Sequence, residues 1–285
     1  MMKLHPVRTI LWGFLMILAM AALYPVVFLI VGSLMGTDEL ENCLGAVVSG
    51  MEGYVSFPML PKYPTFQHFV EVILDSPGFF VMFWNSILIT FGVLGGQLVV
   101  GSMAAWGFAR YEFPCKRGLF LIYVILMLLP FQVLMLSDYL LLDGLGLLGS
   151  LWGIILPGMF STFPVFIMYR FFAEIPDSLM ESARLDGAKE WQLFCYIGLP
   201  MGSSGMIATL VLGFLEYWGL IEQPLAFIKD KSKLPLSVFL PDITIAGKAG
   251  FMFAVSVVTF LPAIMVFMGG REYLEQGIMA GAVKE

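Results

Sequence analysis

Glu181-Ser182-Ala183-Arg184-Leu185-Asp186-Gly187, followed by Ile197-Gly198-Leu199-Pro200, is a charged segment set between two strongly apolar blocks, Trp152–Phe172 and Met201–Glu222. A polar, helix-punctuated stretch flanked by blocks long enough to cross lipid reads as a loop of a membrane protein. A spanning helix needs about 20 mostly apolar residues. Four further blocks meet that length: Ile10–Leu34, Phe79–Met103, Gly118–Leu140 and Phe251–Gly270. The chain of 285 residues is 59% hydrophobic and 13% charged, with mean hydropathy +0.90, which excludes an ordinary soluble domain. The expected fold is all-α and integral to the membrane, one transmembrane domain over 1–285 with six spans. The fifth block is the least sharp, because Gly202, Gly205 and Gly213 dilute it.

Orientation follows from the bias of Lys and Arg toward the cytosolic side. Lys3 and Arg8 precede the first span, and Arg110, Lys116 and Arg117 lie in the second connection. Arg170, Arg184 and Lys189 lie in the fourth, and Arg271 and Lys284 in the tail 271–285. The segment 36–77 has only Lys62 against six acidic residues, and the third connection has no Lys or Arg. Both termini are therefore expected in the cytosol. Lys229, Lys231, Lys233 and Lys248, on the expected outer side, are the one contrary group. The first apolar run far exceeds the ~7–15 residues of a signal-peptide core, so it is expected as a retained span.

The outer loop 36–77 is broken by Pro58, Pro61, Pro64 and Pro77, which argues for a cap-like loop. Within it Tyr54-Val55-Ser56-Phe57 suits a short strand and Phe66–Leu74 a short amphipathic helix. In the loop 174–200, Pro176 suits the first position of a helix, with Asp177 and Glu174 near its positive end. Leu179 and Ala183, four apart, share a face that Ser182 and Ala183 keep shallow. Gly187 suits a left-handed helix end. A second helix, Ala188–Ile197, is expected to stop before Pro200. The plainer alternative for this unit is an amphipathic interfacial loop.

No catalytic constellation is legible. Gly144-Leu145-Gly146-Leu147-Leu148-Gly149 satisfies a dinucleotide-binding pattern, but no strand precedes it. There is no Gly-x-x-x-x-Gly-Lys-Ser/Thr loop, no Gly-x-Ser-x-Gly elbow and no His-Glu-x-x-His helix. Cys43 falls on the opposite side from Cys115 and Cys195, and His5 opposite His68, so neither a disulfide framework nor a metal site is expected. No nucleic-acid partner is expected either. Gly92, Gly96, Gly101 and Ala105 let a neighbouring helix approach closely, first of all within the chain. Pro130, Pro157, Pro164 and Pro262 are candidate kinks. Polar residues inside spans default to functional candidates: Gln97, Gln132, Asp138 and Glu216, with Tyr217 and Trp218 beside the last. Carboxylates alternating with aromatics suit sugars, which offer hydroxyls to one and ring faces to the other.

The 181–200 stretch resembles the signature loop of ABC importer permeases, Glu-Ala-Ala, three residues, Gly, nine residues, then Ile-x-Leu-Pro; only Ser182 departs. Trp84-Asn85-Ser86, Ala104–Tyr111 with Phe113-Pro114, Pro130–Val133 and Leu145–Pro157 are similar to the carbohydrate group of that family, and Gly277–Lys284 resembles its C-terminal signature. Together they resemble the smaller, six-span partner of maltose-type importers. That resemblance implies a prokaryotic plasma-membrane sugar permease, half of a translocation pathway that works by alternating access. Its implied partners are a second permease, two cytosolic ATPases that carry ATP and Mg, an extracytoplasmic sugar-binding protein and membrane lipid. This chain itself would bind no cofactor. Glu181, Ser182, Ala183, Asp186, Gly187 and Ala188 would form the coupling helix seated in an ATPase, between the fourth and fifth spans, and Gly277, Gly281 and Lys284 would touch the ATPases. The family often has Trp-Asn plus an acidic residue in the fifth span; here Trp218 is followed by Gly219 and Leu220. The alternatives are a self-sufficient secondary transporter or channel, or an ABC permease for a substrate other than sugar.

Overall fold

A computed structural model of the chain describes residues 6–48, 60–239 and 248–282, and the side chains of 11–45, 60–239 and 248–275. Every regular element among them is helical. In chain order these are α1 (Pro6–Ser33), α2 (Thr37–Val48), α3 (Gln67–Leu74) and α4 (Pro77–Arg110). Next come α5 (Lys116–Leu128), α6 (Phe131–Gly144), α7 (Trp152–Met159), α8 (Thr162–Ala173) and α9 (Asp177–Leu185). The last are α10 (Glu190–Met201), α11 (Ser203–Trp218), α12 (Glu222–Phe227) and α13 (Ala249–Ala282). Leu11–Ser33, Pro77–Arg110, Trp152–Ala173 and Ala249–Glu275 are each long and apolar enough to cross a membrane, and two bent helix pairs raise the number to 6 if each pair is one span. The chain is a multi-pass membrane protein.

One of the two bent pairs corrects the expected third helix, and the other falls at the start of the expected fifth. Gly118–Leu140 is not one rod: α5 and α6 meet at 104°. Pro130 has no N–H and crowds the residue before it out of the helical region, and Leu129 accordingly sits at φ −75°, ψ 125°. Phe131 then starts a new helix. In the fifth, α10 and α11 meet at 68° at Gly202, where a Cβ would come within 2.3 Å of the Phe172 ring. Glu222 belongs to the separate α12. The helix expected to end before Pro200 runs on to Met201, because a π-helical turn over Leu193–Gly198 already interrupts the α ladder there. Pro262 stays inside α13, and Pro164 lies in the first turn of α8, where a missing N–H costs little. The helix expected near Phe66–Leu74 is α3; Tyr54–Phe57 lies outside the described residues.

The described residues form two compact units. In the first, built from 6–48 and 60–79 with 248–261, Met35, Leu40 and Val72 are buried. The His68 ring fills the space over Gly250, where a Cβ would fall 2.1 Å from Nε2. Phe28 meets Phe253 edge-on at 5.4 Å. The most apolar window of α1 buries none of its residues within the chain.

In the second unit, 80–239 with 262–282, α4 carries the packing. Its small residues are an intrachain seam: a Cβ on Gly96 would fall 2.1 Å from Met159 Cγ, and one on Gly101 2.8 Å from Met168 Cε. The close approach lets Ala105, Trp106, Val165, Met168 and Phe172 bury together. A second cluster joins Leu94, Phe214 and Trp218, with Ala263 and Val266 against it.

Candidate functional site

The 174–200 loop is mounted on the core by side chains the sequence reading did not single out. Met180 is 3% and Leu193 0% exposed, and both pack with Trp106 and Phe172. Arg110, at the end of α4, clasps the entry to α9. Its guanidinium donates to Asp177 Oδ1 at 2.7 Å and to the carbonyl oxygens of Phe172 and Ile175. It also lies 5.7 Å from the Trp106 ring centre, a cation–π contact. The Phe172 carbonyl near the end of α8 and the Ile175 carbonyl in the connection to α9 are thus bridged by one forked cation. Pro176 precedes α9 in an extended conformation (φ −62°, ψ 134°) rather than opening it, so Asp177 is the first helical residue.

Gly187 ends α9 as expected, at φ +85°. Ala188 N–H donates to Ala183 O and Gly187 N–H to Arg184 O, each at 3.0 Å, the two bonds of a Schellman closure. Arg184 reaches across the turn to Glu190 (Nε to Oε1 2.9 Å, Nη2 to Oε2 3.3 Å). Tyr111 O–H donates to the same carboxylate at 3.0 Å. The hydrogen bond to Glu190 pushes the Arg184 pKa up, and burial, then that bond, pushes the Tyr111 phenol up. Glu181, Ser182 and Asp186 are exposed, and Ser182 Oγ–H donates to Leu179 O at 3.0 Å. Leu185, 89% exposed, is the most solvent-directed large apolar side chain of the loop. Ala183 does not share that outward surface with Leu179: it is half-buried against the core, and the inward face of α9 is Met180 with Ala183.

The polar candidates of the spans separate into two groups. Asp138, Glu216 and Tyr217 line one cavity of about 760 Å³, together with Ser161, Thr162 and Gln223. Apolar walls complete it, among them Phe131, Phe160 and Phe163. Gln132 and Trp218 do not reach it. Gln132 donates its amide to both oxygens of Glu222 at 2.8 Å. Trp218 turns into the core, stacked on Phe214 at 5.4 Å and edge-on to Phe83 at 5.8 Å. Gln97, 2% exposed, donates to Gly158 O at 2.9 Å, tying α4 to the end of α7. Ser161 lies in the middle of the expected fourth span and Gln223 just past the expected fifth, and neither gave a signal in the sequence.

Gly277 and Gly281 lie within α13, and Lys284 lies outside the described residues. Among the described residues no three His, Cys, Asp or Glu side chains converge as a metal site.

Residues 97–280 match the family model described as "binding-protein-dependent transport system inner membrane component". The chain is 28% identical over 279 residues to the arabinooligosaccharides transport system permease protein AraQ of Bacillus subtilis (strain 168), covering 97% of this chain and 96% of that protein. It is 25% identical over 275 residues to the lactose transport system permease protein LacG of Rhizobium radiobacter, with 96% and 95% covered. Its fold matches, at TM-score 0.77 and 21% identity, a chain of a bacterial ABC transporter involved in the import of the acidic polysaccharide alginate, covering 96% of this chain and 99% of that one. With the family model matched over more than half of its length, the chain belongs to the binding-protein-dependent transport system inner membrane components, the permeases of ABC importers.

Proposed function

We propose that this chain is one permease subunit of an ATP-driven sugar importer. It crosses the membrane six times with both termini in the cytosol, and α9 is its coupling helix, between the fourth and fifth spans. The arrangement that carries this reading is the mounting of α9. Its inner side is fixed by Met180, Ala183 and the Arg110 clasp, while Leu185, Glu181, Ser182 and Asp186 stand outward. A short, rigid element fixed to a span on one side and open on the other is suited to pass a push into the membrane. The push comes from one of two ATPase subunits, which hold ATP and Mg; this chain binds no cofactor of its own. Gly187 and Ala188 shape the turn behind that surface, and the tail with Gly277, Gly281 and Lys284 gives a second contact to the ATPases.

A second permease completes the pathway, and an extracytoplasmic binding protein delivers the substrate. Asp138, Glu216 and Tyr217 are this chain's contribution to the pathway, and Gln132 and Trp218 support it from outside the cavity. The sugar class is supported by the arabinooligosaccharide and lactose systems to which the relatives belong.

Gly187→Asp tests the coupling surface. Membrane insertion and assembly should stay at the wild-type level while transport and substrate-stimulated ATP hydrolysis are lost. Normal coupled hydrolysis in that variant would falsify the assignment of α9. The chain reconstituted alone in liposomes should pass no sugar; robust flux points instead to a self-sufficient transporter.

A further inference from the structure

We infer that the cavity between Asp138 and Glu216 selects for uncharged sugars and excludes anionic ones. This rests on the reading of that cavity as part of the substrate pathway, and goes beyond it by naming the substrate's charge. Among the described residues, none lining the cavity is Lys, Arg or His; its ionisable side chains are Asp138, Glu216 and Tyr217. Most of the rest is hydrocarbon, including Leu134, Leu141, Leu156 and the rings of Phe131 and Phe160.

An anion entering such a space loses its hydration and meets no counter-charge. Desolvating a charge without a partner costs far more than desolvating a hydroxyl that finds a hydrogen bond. The two carboxyl groups add to the penalty, since they offer an anion repulsion and no cation. A neutral polyhydroxy compound meets the opposite conditions. Its O–H groups donate to Asp138, Glu216 and the Gln223 carbonyl oxygen, its oxygens accept from Ser161, Thr162 and Tyr217, and its apolar ring faces lie on aromatic walls. The alginate importer chain has the same fold and belongs to a system for an acidic polysaccharide, so the fold itself does not dictate the charge of the cargo. On this chain's side of the pathway, the lining side chains favour a neutral one.

The experiment measures the cavity's electrostatic preference directly. In the assembled importer in nanodiscs, Cys43, Cys115 and Cys195 are replaced by serine, and a single cysteine is placed at Ser161→Cys or, as a second position, Thr162→Cys. Modification is timed with sulfonatoethyl, hydroxyethyl and trimethylammonioethyl methanethiosulfonate, each rate divided by that reagent's rate with a free thiol. The neutral and cationic reagents should react at least about tenfold faster than the anionic one, and D138N/E216Q should close much of the gap. Equal anionic and neutral rates overturn the inference and leave the pathway reading in place. A slow anionic rate unchanged in D138N/E216Q overturns the assignment to the two carboxyl groups. No modification by the neutral reagent at either position, in both the nucleotide-free and the vanadate-trapped importer, overturns the pathway reading itself.

Discussion

Arg184 and Glu190 face each other across the left-handed Gly187, with Nε 2.9 Å from Oε1 and the side chains respectively 46% and 51% exposed. The pair ties the last turn of α9 to the first turn of α10, and Tyr111 extends the bond to the end of α4. A turn that carries force has to hold its angle. Here a backbone closure, an ion pair and a phenol all fix the same corner, so the direction of α9 is set by several weak contacts at once.

The ion pair itself contributes little to stability. Exposed pairs are worth about 0.2–1 kcal/mol and are screened by salt. A double-mutant cycle of Arg184→Ala and Glu190→Gln on the denaturant-unfolding free energy should therefore give a coupling energy within that range, falling toward zero in 1 M salt. A coupling above about 2 kcal/mol contradicts the surface-pair account.

Gly187 tests backbone and charge separately. An ideal Cβ there meets nothing within 4 Å, so a substitution costs only the left-handed conformation, about 1–2 kcal/mol for an ordinary residue. Asn and Asp tolerate that conformation alike; they differ in charge. Gly187→Asn should keep most substrate-stimulated ATP hydrolysis, Gly187→Asp should lose it, and Gly187→Val should loosen the loop to proteolysis. Equal loss in the Asn and Asp variants shifts the cause from charge to backbone.

Much of this was legible in the residues, and the failures have physical causes. Gly187 was readable because a polar helix end leaves few alternatives to a left-handed glycine. The small-residue seam of α4 was readable because Gly92, Gly96, Gly101 and Ala105 keep near-helical spacing. The break at Pro130 carried a local signal, and apolar composition across it masked the bend. Arg110 was read in the sequence as a positive charge and as part of the Ala104–Tyr111 resemblance, not as a clasp; two of its acceptors are the Phe172 and Ile175 carbonyls, 62 and 65 residues away, and backbone atoms leave no mark in composition. Trp218 and Tyr217 are adjacent and both buried, yet Tyr217 packs with Val93 and Ile155 and also reaches the cavity, while Trp218 packs with Leu94 and Phe214 and does not. Which neighbour faces which side depends on the rotation of α11, and that is set by tertiary packing.

Gly95 and Gly96 make a paired control for the seam. A Cβ on Gly95 meets nothing within 4 Å, whereas one on Gly96 falls 2.1 Å from Met159 Cγ and 2.7 Å from Met159 Cβ. Gly95→Ala should be neutral or stabilising by about 0.5–1 kcal/mol through helix propensity. Gly96→Ala should destabilise by about 1–3 kcal/mol, because Met159 has to move from its root. Melting temperatures of the assembled importer in one detergent distinguish them, and equal shifts refute the seam.

Arg110 is where loss should be largest. Its side chain is 8% exposed against 86% for Asp177, so the ion pair lies at the rim while the carbonyl contacts lie inward. Removing a partner from buried polar groups costs about 1–3 kcal/mol for each group left unpaired. Arg110→Ala takes the guanidinium from the Ile175 carbonyl and from the Phe172 carbonyl, which keeps a backbone N–H from Ile175, and it removes the cation from the Trp106 ring. Arg110→Lys keeps the charge, but an ammonium lacks the fork that reaches two carbonyls and a carboxylate together. Asp177→Asn leaves the carbonyl clasp whole and costs less than about 1 kcal/mol. Protease cleavage within 174–189 should therefore accelerate in the order Asp177→Asn, Arg110→Lys, Arg110→Ala, with ATPase stimulation falling in the same order. If Asp177→Asn matches Arg110→Ala, the ion pair holds the loop and the clasp on the helix end does not.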